Sequence, residues 1–218
     1  LTVDSGASVT MTVAQHDGFT GTVTAAGTEQ VTFSATGSDT VTTGNAAIET
    51  YVLGTGGITF ALGAAAQNLT GSSGADIVNV GTLSATGTLN GNGGTDTLSL
   101  GNGANISGAT VSSFENLTLA SGASVTMTAA QLNGFTGTVT ATGTNTLTLT
   151  SSGSITSADL SAIETISTAG GSTAQSITLT AAQAAGTTLT ATDTGLDNFV
   201  VSGSAGAQTL VGSAGADS

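Results

Sequence analysis

The sequence predicts an all-β chain: a β-solenoid of the parallel β-helix or β-roll kind, with short helical turns at its corners. Three observations carry that expectation. Apolar residues alternate with Thr or Ser over only three to five residues before Gly intervenes, one strand-to-turn module occurs three times, and a repeat of about 116 residues relates the first part of the chain to the second. Period-two alternation places one face inward and one outward. Strands this short cannot form stable isolated hairpins, but stacked coil upon coil they bury a continuous narrow core. The alternative is a β-sandwich array with Greek-key connections, which strands spaced by roughly ten residues would also suit.

Composition narrows the classes further. The 218 residues include 33 Gly and no Lys, Arg, Pro or Cys, and 13 acidic residues give a formal charge of −13 although only 6% of positions are charged. Nucleic-acid binding is excluded, because neutralising phosphates needs Lys or Arg. An anionic membrane surface is disfavoured for the same reason, and no apolar run approaches the ~20 residues of a spanning helix. A hydrophobic content of 38% and a mean hydropathy of +0.32 are too apolar for a solvated coil. With 3% aromatic residues and no Trp, the core must be thin layers of Val, Leu, Ile and Ala. Without Cys, disulfides and thiolate metal sites drop out.

The first element is the segment from Leu1 to Ser34. It matches Leu117 to Thr150 at 23 of 34 positions without a gap, and with a one-residue slip the match extends from Ala47-Ile48-Glu49-Thr50 to Ala162-Ile163-Glu164-Thr165. We therefore expect one large repeat at 1–116 and a second at 117–218. Within each lies Val9 to Gln15 or Val125 to Gln131, echoed again by Ile177 to Gln183. In every copy a Thr (Thr12, Thr128, Thr180) stands three residues before a Gln (Gln15, Gln131, Gln183), the arrangement of a capping box. Each copy reads as a strand running into one helical turn, and we expect the three turns at equivalent corners. His16 replaces Leu132 of the other copy and has no second His nearby, so it is expected to be a surface variation.

Next come segments such as Val31-Thr32-Phe33 and Leu147-Thr148-Leu149, where Thr suits the outward face because its branched side chain packs on a pleated surface while its hydroxyl stays wet. A further module sets an acid inside an apolar alternation: Ile48-Glu49-Thr50-Tyr51, Phe114-Glu115-Asn116-Leu117, Ile163-Glu164-Thr165-Ile166 and Leu196-Asp197-Asn198-Phe199. These read as strand starts. Their carboxylates have two readings, a solvated face or turn, or a ladder along one edge able to take divalent ions.

The sharpest local signal is a nonapeptide, Gly-Gly-x-Gly-x-Asp-x-apolar-x. Gly71-Ser72-Ser73-Gly74-Ala75-Asp76-Ile77-Val78-Asn79 and Gly91-Asn92-Gly93-Gly94-Thr95-Asp96-Thr97-Leu98-Ser99 follow it with the second Gly replaced, and Gly203 to Val211 runs directly into Gly212 to Ser218, with Gln208 in place of one carboxylate. On these residues the chain resembles the repeats-in-toxin (RTX) family of secreted calcium-binding β-rolls. In such a pattern glycines permit left-handed corners that turn carbonyls inward, the Asp adds a carboxylate, and the apolar residue begins a short strand. The resemblance implies calcium as cofactor, with Gly71, Ser73, Asp76, Gly91, Gly93, Asp96 and Asp217 as candidate ligating positions. The residues themselves leave a second reading open, in which Asp76 and Asp96 are corner residues bonded to backbone amides.

Taken whole, the chain resembles part of a bacterial surface-layer (S-layer) protein or the stalk of a giant RTX-type adhesin. That implies a secreted structural protein at the bacterial cell surface, stabilised by calcium, self-associating into a filament or lattice, and in contact with cell-surface polysaccharide. Because the chain begins at Leu1 and ends at Ser218 without an initiator Met or a closing motif, we expect a fragment of a longer repetitive chain, with any secretion signal outside it. Catalysis has little to work with: no Lys or Cys nucleophile, one His, and no Lys or Arg to clamp an anion. We therefore expect no enzyme. Glycosidase chemistry by paired carboxylates lacks the aromatic residues that would hold a sugar. A Thr-rich ice-binding solenoid is a further alternative, since Thr-x-Thr triplets occur at Thr10 to Thr12, Thr22 to Thr24, Thr126 to Thr128, Thr138 to Thr140 and Thr146 to Thr150, although unevenly along the sequence.

Overall fold

The computed structural model describes residues 1–34, 37–169, 173–192, 197–202 and 209–212. Asp217 and most of the nonapeptides at 203–218 lie outside the described residues. The chain divides into two compact units, one of residues 1–99 and 108–114, the other of residues 100–107 and 115–218.

In the first unit β1 (Thr2–Val3) pairs with β3 (Thr24–Ala25). One longer sheet stacks β2 (Ser8–Met11), β4 (Gln30–Phe33), β6 (Thr50–Val52), β8 (Asn68–Thr70), β10 (Thr88–Asn90) and β12 (Thr110–Ser112) in that order. A second runs β5 (Asp39–Val41), β7 (Ile58–Ala61), β9 (Ile77–Gly81) and β11 (Thr97–Leu100). From β4 onward strands of one sheet alternate with strands of the other, so each of these coils contributes one strand to each. Ser8 pairs with Gln30, Gln30 with Thr50 and Thr50 with Asn68, all in parallel. Parallel neighbours one coil apart define a β-solenoid and exclude the sandwich alternative, whose sheets are antiparallel.

The second unit repeats the plan. Here β13 (Asn116–Leu119) pairs with β15 (Val139–Thr140). β14 (Ser124–Met127), β16 (Thr146–Leu149), β18 (Thr165–Thr168), β20 (Thr188–Thr190) and β22 (Thr209–Val211) form one sheet, and β17 (Gly153–Ile155), β19 (Ser176–Thr180) and β21 (Asn198–Ser202) another. The registers of the two repeats match. Thr2 opposes Thr24 as Thr118 opposes Thr140, and Ser8 opposes Gln30 as Ser124 opposes Thr146. Thus the 116-residue sequence repeat builds the same coil twice.

The core of each unit is a set of columns. Val31, Tyr51, Leu69 and Leu89 follow one another through the pairing of β4, β6, β8 and β10, and Val125, Leu147, Ile166 and Leu189 do so through β14, β16, β18 and β20; all eight are buried. Each such side chain contributes roughly 1.5–3 kcal/mol of burial, and most of the alternating Thr and Ser residues face outward, Ser167 of β18 being a buried exception. The acid modules are strand starts, as the alternation predicts: Glu49, Glu115, Glu164 and Asp197 immediately precede β6, β13, β18 and β21.

All three capping boxes form. Thr12, Thr128 and Thr180 cap α1 (Val13–Asp17), α2 (Ala129–Asn133) and α3 (Ala181–Ala184), each accepting from the Gln backbone N–H while the Gln side chain accepts from the Thr N–H. The expectation of three equivalent corners is corrected. α1 and α2 follow the equivalent strands β2 and β14, whereas α3 follows β19 of the other sheet. The Thr-x-x-Gln box specifies where a turn starts, but the stacking partner decides which strand precedes it, and Ile177 to Leu179 stack on Gly153 to Ile155. Among the described residues no helix is long and apolar enough to cross a membrane.

Candidate functional site

Several corners that enter strands share one device. A side-chain oxygen at or just before the strand start reaches back one coil, 18 to 22 residues, and accepts a backbone N–H there. Glu49 Oε2 accepts from Glu29 N (3.0 Å), Asp76 Oδ1 from Ile58 N (2.7 Å), Asp96 Oδ1 from Asp76 N (2.7 Å), Asn145 Oδ1 from Ala123 N (2.8 Å), Glu164 Oε2 from Asn145 N (2.8 Å) and Asp197 Oδ1 from Gln175 N (2.8 Å). At a corner the strand ladder is interrupted, and a buried amide there must find another acceptor. Short acidic or amide side chains supply it.

Both readings of the nonapeptide residues can be set against this geometry. Asp76 and Asp96 are buried, 1% and 0% exposed. The second oxygen of Asp76 accepts from Ser72 N at 2.7 Å, so both of its oxygens serve backbone amides. Gly71 and Gly91 sit where coils touch. A Cβ on Gly71 would lie 2.1 Å from the Gly91 carbonyl oxygen, and one on Gly91 1.9 Å from that of Ser113. Ser73 is exposed and Gly93 half-buried, both on the outer side of the corner, while the carboxylates turn inward. Among the described residues no three His, Asp or Glu side chains converge as a metal-binding group.

His16 is not a surface variation. Its side chain is 9% exposed, with Nδ1 2.8 Å from Asp17 Oδ1 and Nε2 3.1 Å from the Tyr51 hydroxyl. The ring meets Phe33 and Tyr51 edge-on, Phe33 and Tyr51 stack at 5.9 Å, and Tyr51 lies 4.6 Å from Phe60. Burial pushes the Tyr51 phenol up to about 12, reinforced by the negative charges of Asp17 and Glu49 and opposed by the Asn45 amide donating to its oxygen at 2.6 Å. Beside the cluster an open cavity of about 370 Å³ is lined by Met11, His16, Asp17, Phe19, Val31 and Ile48, among others. In the second repeat Leu132, Leu149 and Ile166 take the places of His16, Phe33 and Tyr51, and all three are buried. Stacking is what places His16 inside: it enters at the end of a one-turn helix above two aromatic coils. The residue that replaces it, Leu132, was the signal in the sequence that this position faces inward.

Glu29 was also missed by the motifs. It precedes β4 as Glu49 precedes β6, is fully buried, and accepts the Ala26 amide on Oε1 at 3.2 Å. Burial raises the neighbouring Glu49 carboxyl, but the Glu29 amide and a side-chain contact with Glu29 outweigh it and leave Glu49 below its usual value. On the surface, the Ser161 amide and hydroxyl hold Asp159 below the usual carboxylate range.

No family model, no curated protein and no solved structure matches the chain.

Proposed function

We propose that the chain is a structural part of a secreted, calcium-stabilised coat at a bacterial cell surface, and that it works by self-association. The observation that carries this reading is the stacking itself: parallel sheets faced largely with Ser and Thr, in a chain of formal charge −13 without one Lys or Arg. Like-charged copies cannot form Lys or Arg ion pairs, so divalent cations are the bridge between acidic faces. Small-residue faces bind weakly one contact at a time, and affinity comes from repetition. The same solenoid suits the stalk of an adhesin, and the reading assigns it no catalytic role. Light scattering and electron microscopy of the chain with calcium and with chelator test the proposal. Calcium-dependent, chelator-reversible filaments or sheets are expected, and a chain that stays monomeric at high concentration in calcium overturns it.

One observation favours a second reading. One of the Thr-x-Thr triplets comes into register with hydroxyl residues of its neighbours once folded: Thr146 and Thr148 pair with Ser124 and Thr126 on one side and with Thr165 and the buried Ser167 on the other. A row of registered hydroxyls is a surface for ordering water. Ice binding predicts thermal hysteresis in dilute solution, where no assembly occurs.

A further inference from the structure

The two large repeats differ at one corner in a way that exposes a requirement. In the second, Asn145 is closed on itself and its neighbours: Oδ1 accepts from Ala123 N at 2.8 Å, Nδ2 donates to the Thr142 and Gly143 carbonyls at 3.0 and 3.4 Å, and its own N–H goes to Glu164 Oε2. In the first repeat the same position, 116 residues earlier, is Glu29, and its N–H goes likewise to Glu49 Oε2. The amide group of Asn145 brings two donors. The carboxylate of Glu29 brings none, so where Asn145 donates, Glu29 needs something that donates to it.

That need is unmet among the described residues. Glu29 is 0% exposed, and its Oε2 is buried with no hydrogen-bond partner among them. Its carboxyl contacts that of Glu49. No Lys or Arg exists anywhere in the chain to neutralise the pair, and burying an uncompensated carboxylate costs several kcal/mol. Ser5 packs closely alongside: a Cβ on Gly27 would stand 2.2 Å from the Ser5 hydroxyl oxygen and 3.2 Å from Glu29 Oε1, so the missing side chain is what lets the hydroxyl approach the carboxylate. Ser5 is exposed and Glu49 half-buried, so the place is reachable from solvent. Tyr51, two residues on from Glu49, adds a neutral phenol, and Gln67, which precedes β8 as Glu49 precedes β6, is an amide; neither supplies positive charge.

We propose that Glu29 and Glu49 bind a hard divalent cation, calcium in preference to magnesium, with the Ser5 hydroxyl and water completing its oxygen shell. Irregular carboxylate, hydroxyl and water donors suit the larger ion, which accepts varied geometry, better than magnesium, which demands a near-ideal octahedron. The site differs from the nonapeptide corners of Asp76 and Asp96, and it rests on the calcium-stabilised coat only for the choice of ion.

Isothermal titration calorimetry of the full 218-residue chain with calcium chloride tests it, beside melting in calcium and in chelator. The variant is Glu29→Asn, whose side chain the equivalent coil already accommodates as Asn145; Glu29→Gln and Glu49→Gln are the second pair, and Glu164→Gln the control. The expected result is one calcium equivalent bound by the parent chain and by Glu164→Gln, lost from the three site variants, with Glu29→Asn melting at the same temperature with and without calcium. The inference is overturned if the variants take up calcium with the parent's stoichiometry and affinity, or if the parent takes up none. Should the parent ignore calcium while its melt alone shifts with pH and that of Glu29→Asn does not, the pair shares a proton and the cation site is likewise overturned. Binding lost in the variants while assembly proceeds without calcium would uphold this site and sink the calcium-bridged coat. Calcium-dependent assembly with unchanged binding in Glu29→Asn would do the reverse.

Discussion

Asp76→Ala is the most informative perturbation of the corner device, because the two readings of this residue predict opposite dependence on calcium. In the structure the carboxylate is 1% exposed and accepts two backbone N–H groups at 2.7 Å, one from Ile58 on the preceding coil and one from Ser72 of its own corner. A hydrogen bond to a charged acceptor contributes about 1.5–3 kcal/mol, and removing the acceptor leaves the buried donor unsatisfied. Two such bonds, offset in part because a carboxylate no longer has to be buried, give an expected loss of about 2–4 kcal/mol. Against a total stability of roughly 5–15 kcal/mol and a urea slope of about 1–3 kcal/mol/M, the midpoint in urea should fall by about 1–2 M. The loss should be the same in chelator as in calcium, because amides rather than an ion are the partners. Asp76→Asn, which keeps one carbonyl oxygen, should recover about half. Equal urea midpoints for Asp76→Ala and the parent in chelator, with a difference appearing only when calcium is added, would refute the reasoning.

Three more outcomes follow from the same structure. Gly63→Ala puts a Cβ 1.7 Å from the Gly44 carbonyl oxygen on the neighbouring coil and should disrupt the local stack, seen as lost amide-exchange protection around both residues; Gly21→Ala meets open space and should leave protection unchanged. Thr12→Ala and Thr128→Ala each remove a complete capping box and should cost about 1 kcal/mol in denaturant melts. For Tyr51 the folded value, about 12, lies above the ordinary 10.0. The folded form therefore holds its proton more tightly, and that stability is intact below pH 10 and lost as pH rises from 10 to 12. Absorbance at about 295 nm should show phenolate only near pH 12 or on unfolding, and Tyr51→Phe should abolish this part of the alkaline destabilisation; phenolate formation near pH 10 in the folded chain would contradict the burial argument.

Much of the fold is written locally. Period-two alternation locates β4 and β16, the Thr-x-x-Gln box locates α1 and α2, and the acid modules locate the starts of β6, β13, β18 and β21. What alternation cannot encode is the neighbour one coil away. The strand before α3 has the same Thr-bearing pattern as those before α1 and α2, yet it belongs to the other sheet, because Ile177 stacks on Gly153. The same limit governs the site. Asp76 is legible as a corner acid, but its amide partner Ile58 lies 18 residues earlier, at a distance fixed only by the length of the coil. His16 reads as a surface variation because no second His lies near it in sequence, while its contacts Phe33 and Tyr51 come from the next two coils. Glu29 stood outside every motif, and only comparison with Asn145 across the repeat makes its difference visible.

The corner side chains sew each coil to both of its neighbours. The oxygens of Glu49, Asp76, Asp96, Glu164 and Asp197 each receive an N–H from the preceding coil, while those of Asn68, Asn102, Asn116 and Asn133 receive one from the following coil, at Thr88, Ser124, Thr138 and Thr156. Trimming therefore carries a penalty on either side of a cut within a unit: removing a later coil strips the acceptor from an amide such as that of Ile58, and removing an earlier one does the same to an amide such as that of Thr88. An interior coil is held as a stitch is held, by thread from the row above and the row below.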